Sequence, residues 1–295
     1  MNEHMHNQEV SNSDIPKVSI GLLVYNEAKY IELSIRSLLA IKYENLEIII
    51  SDNGSNDGTA EIIENLVCND CRVHFHRFKN NQGAYANLLY VAGQSTGKYF
   101  MMASGHDLWS ENLITECSAL LELNSNAVIA FATPFTIDEQ GQKMDKSTGW
   151  TDTSGLDIAG RFMSVLYGNM NPVLGLIRKD AMPQLDGYYN SVGADLVFLL
   201  ELVLKGDFIH AFHANFYRRQ PRTPEKYSQK LDRYKSNEMK LANSFFSKMF
   251  PLFRLPYEIL KVVIKSNTQF GIKLALIMIL IPTFPVRYFM ARKLQ

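Results

Sequence analysis

The run from Val18 to Val24 is apolar but for Ser19 and Gly21, and Pro16 and Lys17 precede it, which is the length and composition of a buried strand. Residues 27–40 then carry Ile31, Ile35, Leu38 and Leu39 at helical spacing. The pair of patterns repeats. Residues 46–50 read as a second strand broken by Asn53-Gly54, after which Asp57 offers an N-cap to a helix through Ile62, Ile63 and Leu66. A third strand at 73–78 leads to a helix at 83–94 with Leu88, Leu89 and Val91 inward. A fourth at 99–103 leads to a loop at 104–107 and a helix at 110–123, and a fifth covers 127–132. Such alternation predicts βαβ units, an α/β fold whose mostly parallel central sheet is covered by helices on both faces.

Beyond residue 133 the alternation loosens. Residues 138–141 (Asp-Glu-Gln-Gly) read as a hairpin turn, 173–177 as a short strand, 195–205 as a helix closed by Gly206, and 208–212 as a further strand. A proline-bearing loop at 220–224 precedes a charged amphipathic helix at 225–250. The polar residues 1–14 have no apolar stretch flanked by basic residues, so they read as a frayed tail and not as a signal peptide.

Composition narrows the function. Thirty Lys and Arg balance thirty Asp and Glu over 295 residues, which argues against a general nucleic-acid binder. Charge is uneven along the chain. Residues 251–295 hold seven basic residues against Glu258 alone, a net +6, so the first 250 residues carry −6. The uncharged stretch between Lys273 and Arg287 is too short to span a bilayer, and an interfacial helix suits it better. A helix packed on the domain or a dimer contact would account for the same pattern. Three cysteines are no disulfide framework and fit a reducing cytoplasm. Cys68 and Cys71 form a CxxC near His74 and His76, and read as residues at a helix-to-strand junction before they read as a metal site.

In parallel sheets the ligand lies at the carboxyl ends of the strands. Three such ends carry suitable polar groups: Tyr25-Asn26-Glu27, Ser51-Asp52-Asn53-Gly54 and His106-Asp107. For a nucleotide lying there, Asp52 offers an acceptor to base or ribose and Gly54 permits close backbone approach. Arg77 is placed to meet the base or a phosphate, and Asp107 to hold a divalent cation. Asp195 follows Gly193-Ala194 at a helix start and is equally a general base or a plain cap. No GxGxxG follows the first strand, and neither GxxxxGK[ST] nor GxSxG occurs, so dinucleotide redox chemistry, P-loop phosphoryl transfer and α/β-hydrolase chemistry lack their signatures.

Residues 18–27 (VSIGLLVYNE) and 51–59 (SDNGSNDGT) resemble the opening motifs of the family 2 glycosyltransferases, with their strand ending in YNE and their VDDGSxDGT turn. Asn81-Gln82-Gly83 with Asn87 resembles the NxGxxxARN segment of that family; Gly175-Leu176-Ile177-Arg178, Gly193-Ala194-Asp195 and Tyr217-Arg218-Arg219 resemble its later motifs. The resemblance covers residues 17–220 and implies a GT-A fold and an inverting transfer of sugar from a nucleoside diphosphate, commonly UDP, to a hydroxyl. It implies that Tyr25, Asn26 and Glu27 line the nucleotide pocket, that Asp52 contacts the base, that Arg77 meets base or phosphate, and that Asp195 is the general base. Asp107 matches the last acid of the metal-binding segment, where Mn²⁺ or Mg²⁺ is the implied cofactor, and Arg218 and Arg219 brace the diphosphate or the acceptor. Departures are visible. Gly105-His106-Asp107 leaves one metal carboxylate, with His106 a nitrogen ligand or a plain loop residue, and Asn53 stands where a second acid is usual. His213 is either a late metal ligand or a structural histidine in a strand.

The expected organisation is a tail at 1–15, a catalytic domain at 16–220 (donor half 17–107, acceptor half 108–220) and a helical basic and apolar extension at 221–295. The expected setting is the cytoplasm, at the inner face of the membrane. The expected role is in bacterial cell-surface polysaccharide or lipid-linked glycan synthesis. A catalytically impaired nucleotide-sugar-binding protein and a nucleotidyltransferase are the competing readings.

Overall fold

The computed structural model describes residues 15–145, 152–185, 193–220 and 251–293. The helix expected at 225–250 and the tail at 1–14 lie outside them. Eight strands form one sheet: β1 (Val18–Val24), β2 (Leu46–Asp52), β3 (Val73–Arg77), β4 (Tyr99–Ser104), β5 (Leu108–Trp109), β6 (Ala127–Ile137), β7 (Leu176–Arg178) and β8 (Asp207–Arg219). Their order is β3-β2-β1-β4-β7-β6-β8-β5. Parallel pairing joins β3, β2, β1 and β4, and again β6 with β8, while β7 and β5 run against their neighbours. The carboxyl ends of β1, β2, β4 and β8 therefore open on the same edge of the sheet.

Helices cover both faces. α1 (Ile31–Leu39), α2 (Thr59–Val67) and α4 (Leu113–Leu123) place Ile35, Leu38, Ile63 and Leu121 on one core with Val18, Ile20 and Leu22 of β1. On the other face lie α3 (Ala84–Gln94), α5 (Ile158–Tyr167), α6 (Ala194–Lys205), α7 (Pro251–Lys265) and α8 (Phe270–Lys293), packing Val91, Phe162, Leu199, Val263 and Leu276 over Phe100 and Ile129. The amino edge of the sheet is locked by buried Glu47, whose oxygens accept from Ser19 Oγ (2.5 Å), the Thr96 N–H (2.7 Å) and Lys17 Nζ (2.6 Å).

Some elements differ from the sequence expectation. The 173–177 segment is a 3₁₀ turn (Asn171–Leu174) followed by β7, because Pro172 opens the turn and Gly175 closes it. β6 runs on to Ile137 and β8 to Arg219, past a register irregularity where Ala132 pairs with Ala211 but Thr133 with Asn215. The helix expected from residue 27 starts at Ile31, because the N–H groups of Tyr30 and Ile31 both donate to the Glu27 carbonyl (2.9 Å each) in a tight turn. α8 runs through Pro282 and Pro285 to Lys293. Cys68 and Cys71 are exposed thiols between α2 and β3. Among the described residues no helix is long and apolar enough to cross a membrane.

Candidate functional site

The loop after β1 is built onto the loop after β2. Asn26 adopts a left-handed conformation, φ 53°, which asparagine tolerates better than most residues. Its N–H donates to Ser55 Oγ (2.8 Å) and its Oδ1 accepts from the Asn56 N–H (3.1 Å). The Glu27 N–H donates to Thr59 Oγ1 (2.9 Å) and the Ala28 N–H to Asp57 Oδ2 (3.1 Å). Gly58, in a left-handed conformation, takes the N-cap position expected of Asp57; Asp57 stands one residue before it and accepts from the Thr59 N–H (3.2 Å), so it joins both loops. Burial acts to raise the Asp57 pKa, but these hydrogen bonds outweigh it and hold the carboxyl below its ordinary value. Tyr25 is left 41% exposed at the rim.

Asp52, the last residue of β2, is fully buried. Its Oδ1 accepts from the Ser55 N–H (3.1 Å) and hydroxyl, and its Oδ2 lies 3.3 Å from Arg77 Nε. The parallel register places Asp52 beside Arg77. Arg77 donates through Nη2 to the Ser55 carbonyl (2.9 Å) and remains partly open to solvent. Gly54 has φ +74°, and a Cβ there would stand 2.7 Å from the Asn80 carbonyl carbon, so its close approach is to the 80–81 backbone. That neighbouring loop is held by Asn53, which donates to Asn81 Oδ1 (2.9 Å) and accepts from the Gln82 N–H (2.8 Å). Asn87 of α3 donates to the Ser51 carbonyl (3.0 Å), and its Nδ2 lies 3.4 Å from the Val24 carbonyl, so it spans the ends of β2 and β1.

The third strand end meets the first. Glu27 Oε1 lies 2.9 Å from His106 Nδ1. A Cβ on Gly105 would sit 2.9 Å from Glu27 Cγ, so the Glu27 side chain fills the space that a larger residue at 105 would need. Asp107 is buried; its Oδ2 accepts from Ser104 Oγ (2.5 Å) and its Oδ1 from the Arg219 N–H (2.8 Å). Burial raises the Asp107 pKa, opposed by the His106 and Arg218 charges and by these hydrogen bonds.

The neighbouring arginines of β8 part ways. Arg219 is buried and donates from Nε to the His106 carbonyl (2.9 Å) and from Nη1 to the carbonyls of Asp138 (2.8 Å) and Glu139 (2.9 Å); its guanidinium carbon lies 4.8 Å from the Tyr30 ring centre. It therefore ties the His106-Asp107 loop to the 138–142 hairpin. Arg218 is exposed and donates from Nη1 to Asn171 Oδ1 (2.9 Å). Asn171 was not singled out from sequence; its pairing with Arg218 crosses 47 residues, and no local pattern signals it. Asp195 opens α6 behind Gly193, which has φ +90°. Desolvation by the surrounding protein raises the pKa of Asp195, opposed by the Arg218 charge. The charge of Arg218 is thus felt by both Asp107 and Asp195. His213 is exposed, its carbonyl accepting from Asn112 Nδ2 (3.0 Å).

Among the described residues no group of three or more His, Cys, Asp and Glu is placed to hold a metal ion. Within the 105–107 segment a divalent cation would meet one carboxylate, Asp107, which already accepts one hydrogen bond at each oxygen, and the imidazole of His106, whose Nδ1 faces Glu27.

Comparison with known proteins bears on this geometry. The family model described as "Glycosyl transferase family 2" matches residues 19–179. An uncharacterized glycosyltransferase of Rickettsia bellii is 36% identical over 129 residues, 43% of this chain and 18% of that protein. The putative glycosyltransferase EpsE of Bacillus subtilis is 29% identical over 127 residues, 43% of this chain and 46% of that protein. The chain thus spans less than half the length of either relative. Among solved structures, Staphylococcus aureus TarS 1–349 in complex with UDP-GlcNAc superposes with a TM-score of 0.62 at 15% identity, covering 87% of this chain and 69% of that one. That likeness shows the fold, the GT-A arrangement of a central sheet flanked by helices.

Proposed function

This chain belongs to glycosyl transferase family 2, and we propose that it moves a sugar from a nucleoside diphosphate to a hydroxyl acceptor with inversion at the anomeric carbon. UDP is the favoured carrier, because the TarS structures of the same fold contain UDP and UDP-GlcNAc. The nucleotide would lie over the ends of β1 and β2, against Tyr25, Asn26 and the solvent-facing side of Arg77. Asp52 would act there as a positioning residue, because its buried carboxylate orients Arg77 and the Ser55 turn.

One relationship carries the catalytic reading: Asp195 lies in the first turn of α6 within the electrostatic reach of Arg218, and Arg218 stands at the carboxyl end of β8, the edge on which β1, β2 and β4 also end. Asp195 would take the proton of the acceptor hydroxyl as its oxygen bonds to the anomeric carbon. The bond from that carbon to the diphosphate oxygen breaks, and the electron pair leaves with the diphosphate. Arg218 would offset the growing negative charge. His106, Asp107 and Arg219 would hold the floor of the site, and no step is assigned to a cation. The proposed acceptor is a glycan hydroxyl, free or on a lipid carrier, in cell-surface polysaccharide synthesis, with the enzyme on the cytoplasmic side of the membrane.

Replacing Asp195 by Asn should abolish transfer while UDP binding, read by calorimetry, persists; normal turnover by that variant removes Asp195 from the role. The single engaged acid of the 105–107 segment favours, as a second reading, a protein that binds nucleotide sugars without turning them over. Slow donor hydrolysis in the absence of acceptor separates the two.

A further inference from the structure

The last helix is apolar on both sides. Leu276, Leu280 and Thr283 are buried where α8 meets α5 and α7. Outward, every exposed residue between positions 270 and 282 is apolar. Four of them, Phe270, Leu274, Met278 and Ile281, are 82%, 50%, 63% and 71% exposed and recur at a helical period along one stripe. Lys273 is the one charged residue of that stretch, and it bends back so that Nζ donates to the Ile264 carbonyl (2.8 Å). On α7, Tyr257 and Ile264 are exposed as well.

A helix at a water surface carries a polar face, and α8 has none over these turns. The helix is also not long and apolar enough to cross a bilayer. Charge identifies what covers it. Residues 251–295 hold seven basic residues against Glu258, which is buried with an oxygen 3.6 Å from Lys261 Nζ. A second copy would set one cationic segment against another, whereas an anionic surface would be attracted.

We infer that α8 lies along an anionic lipid bilayer, with the Phe270, Leu274, Met278 and Ile281 stripe sunk to the acyl boundary and the cations of the segment among the headgroups. The surface is independent of the reaction; it rests on the transferase reading only in that such a bilayer would carry the acceptor.

The test floats the full-length protein with vesicles of phosphatidylcholine alone, or of phosphatidylcholine mixed with phosphatidylglycerol. The protein should rise with the mixed vesicles, and much less with neutral ones or at high salt. Leu274→Glu with Met278→Glu should cut flotation by about tenfold or more, because charge is forced into the apolar layer, while the urea midpoint and donor hydrolysis stay unchanged. Wild-type protein remaining at the bottom of the gradient overturns the inference, as does a double variant that floats like wild type. A wild-type dimer that the double variant converts to monomer, without flotation, assigns the face to self-association and also overturns it. Flotation that persists without donor turnover sinks the transferase reading alone.

Discussion

The backbone N–H of Arg219 donates to Asp107 Oδ1 at 2.8 Å, joining the last residue of β8 to the loop that follows β4. The same arginine reaches the carbonyls of His106, Asp138 and Glu139, so the parts assigned to donor and to acceptor share one buried guanidinium.

Arg219→Ala should therefore destabilise the fold by about 2–4 kcal/mol, because three part-buried carbonyls lose a charged donor and the buried space of the arginine is emptied. Arg219→Lys should recover little of this, since an ammonium cannot reproduce the planar fork. Urea denaturation of the three proteins measures both effects, and a lysine variant as stable as wild type would contradict the assignment.

Gly54 and Gly58 make an internal comparison. Both have positive φ, but a Cβ at 54 meets the Asn80 backbone while one at 58 meets nothing within 4 Å. Gly58→Ala should cost about 1–2 kcal/mol of backbone strain alone. Gly54→Ala should cost more and also weaken UDP binding by displacing the 80–82 loop. Equal melting temperatures for the two variants would refute the packing role of Gly54.

Asp195 must be ionised to accept a proton. Its pKa is raised by desolvation, which outweighs the opposing charge of Arg218. Activity should then fall on the acid side at a pH above the ordinary carboxylate range, and Arg218→Ala should move that limb higher still. A pH profile of kcat/KM reads the shift, and a limb that stays in place or moves down separates the two groups.

At the far edge of the sheet, burial acts to raise the Glu47 pKa, but hydrogen bonds from Lys17, Ser19 and Thr96 prevail and bring it to about 2. A depressed folded pKa stabilises above the unfolded value of about 4.5, and that contribution is lost as pH falls from there through about 2. Glu47→Gln should lose about 1–3 kcal/mol at neutral pH and flatten the acid limb of the stability curve. Urea midpoints between pH 7 and pH 2, tracked for both proteins, check it.

Much of the sheet was legible because its first strands are continuous apolar runs between well-marked turns. β5 was not, since two residues carry no period. The outer half of β8 was not either, because Asn215-Phe216-Tyr217-Arg218-Arg219 has no two-residue alternation and follows an irregular register. The strand ends could be named as candidates from Asn26, Asp52 and Asp107. What each side chain does there needed the third dimension. Asp52 meets Arg77 only because β2 and β3 pair in that register. Glu27 accounts for Gly105 across 78 positions, and two identical neighbours, Arg218 and Arg219, differ only through which elements fold against them.

The most direct measurement is UDP release from a panel of UDP-sugars by wild-type protein, Asp195→Asn and Arg218→Ala, alongside calorimetric UDP binding. Wild type should release UDP from at least one sugar. Asp195→Asn should bind UDP as wild type does and release almost none, and Arg218→Ala should be slower than wild type. Absence of UDP binding by wild type, or undiminished release by Asp195→Asn, would contradict a donor pocket at these strand ends served by that aspartate.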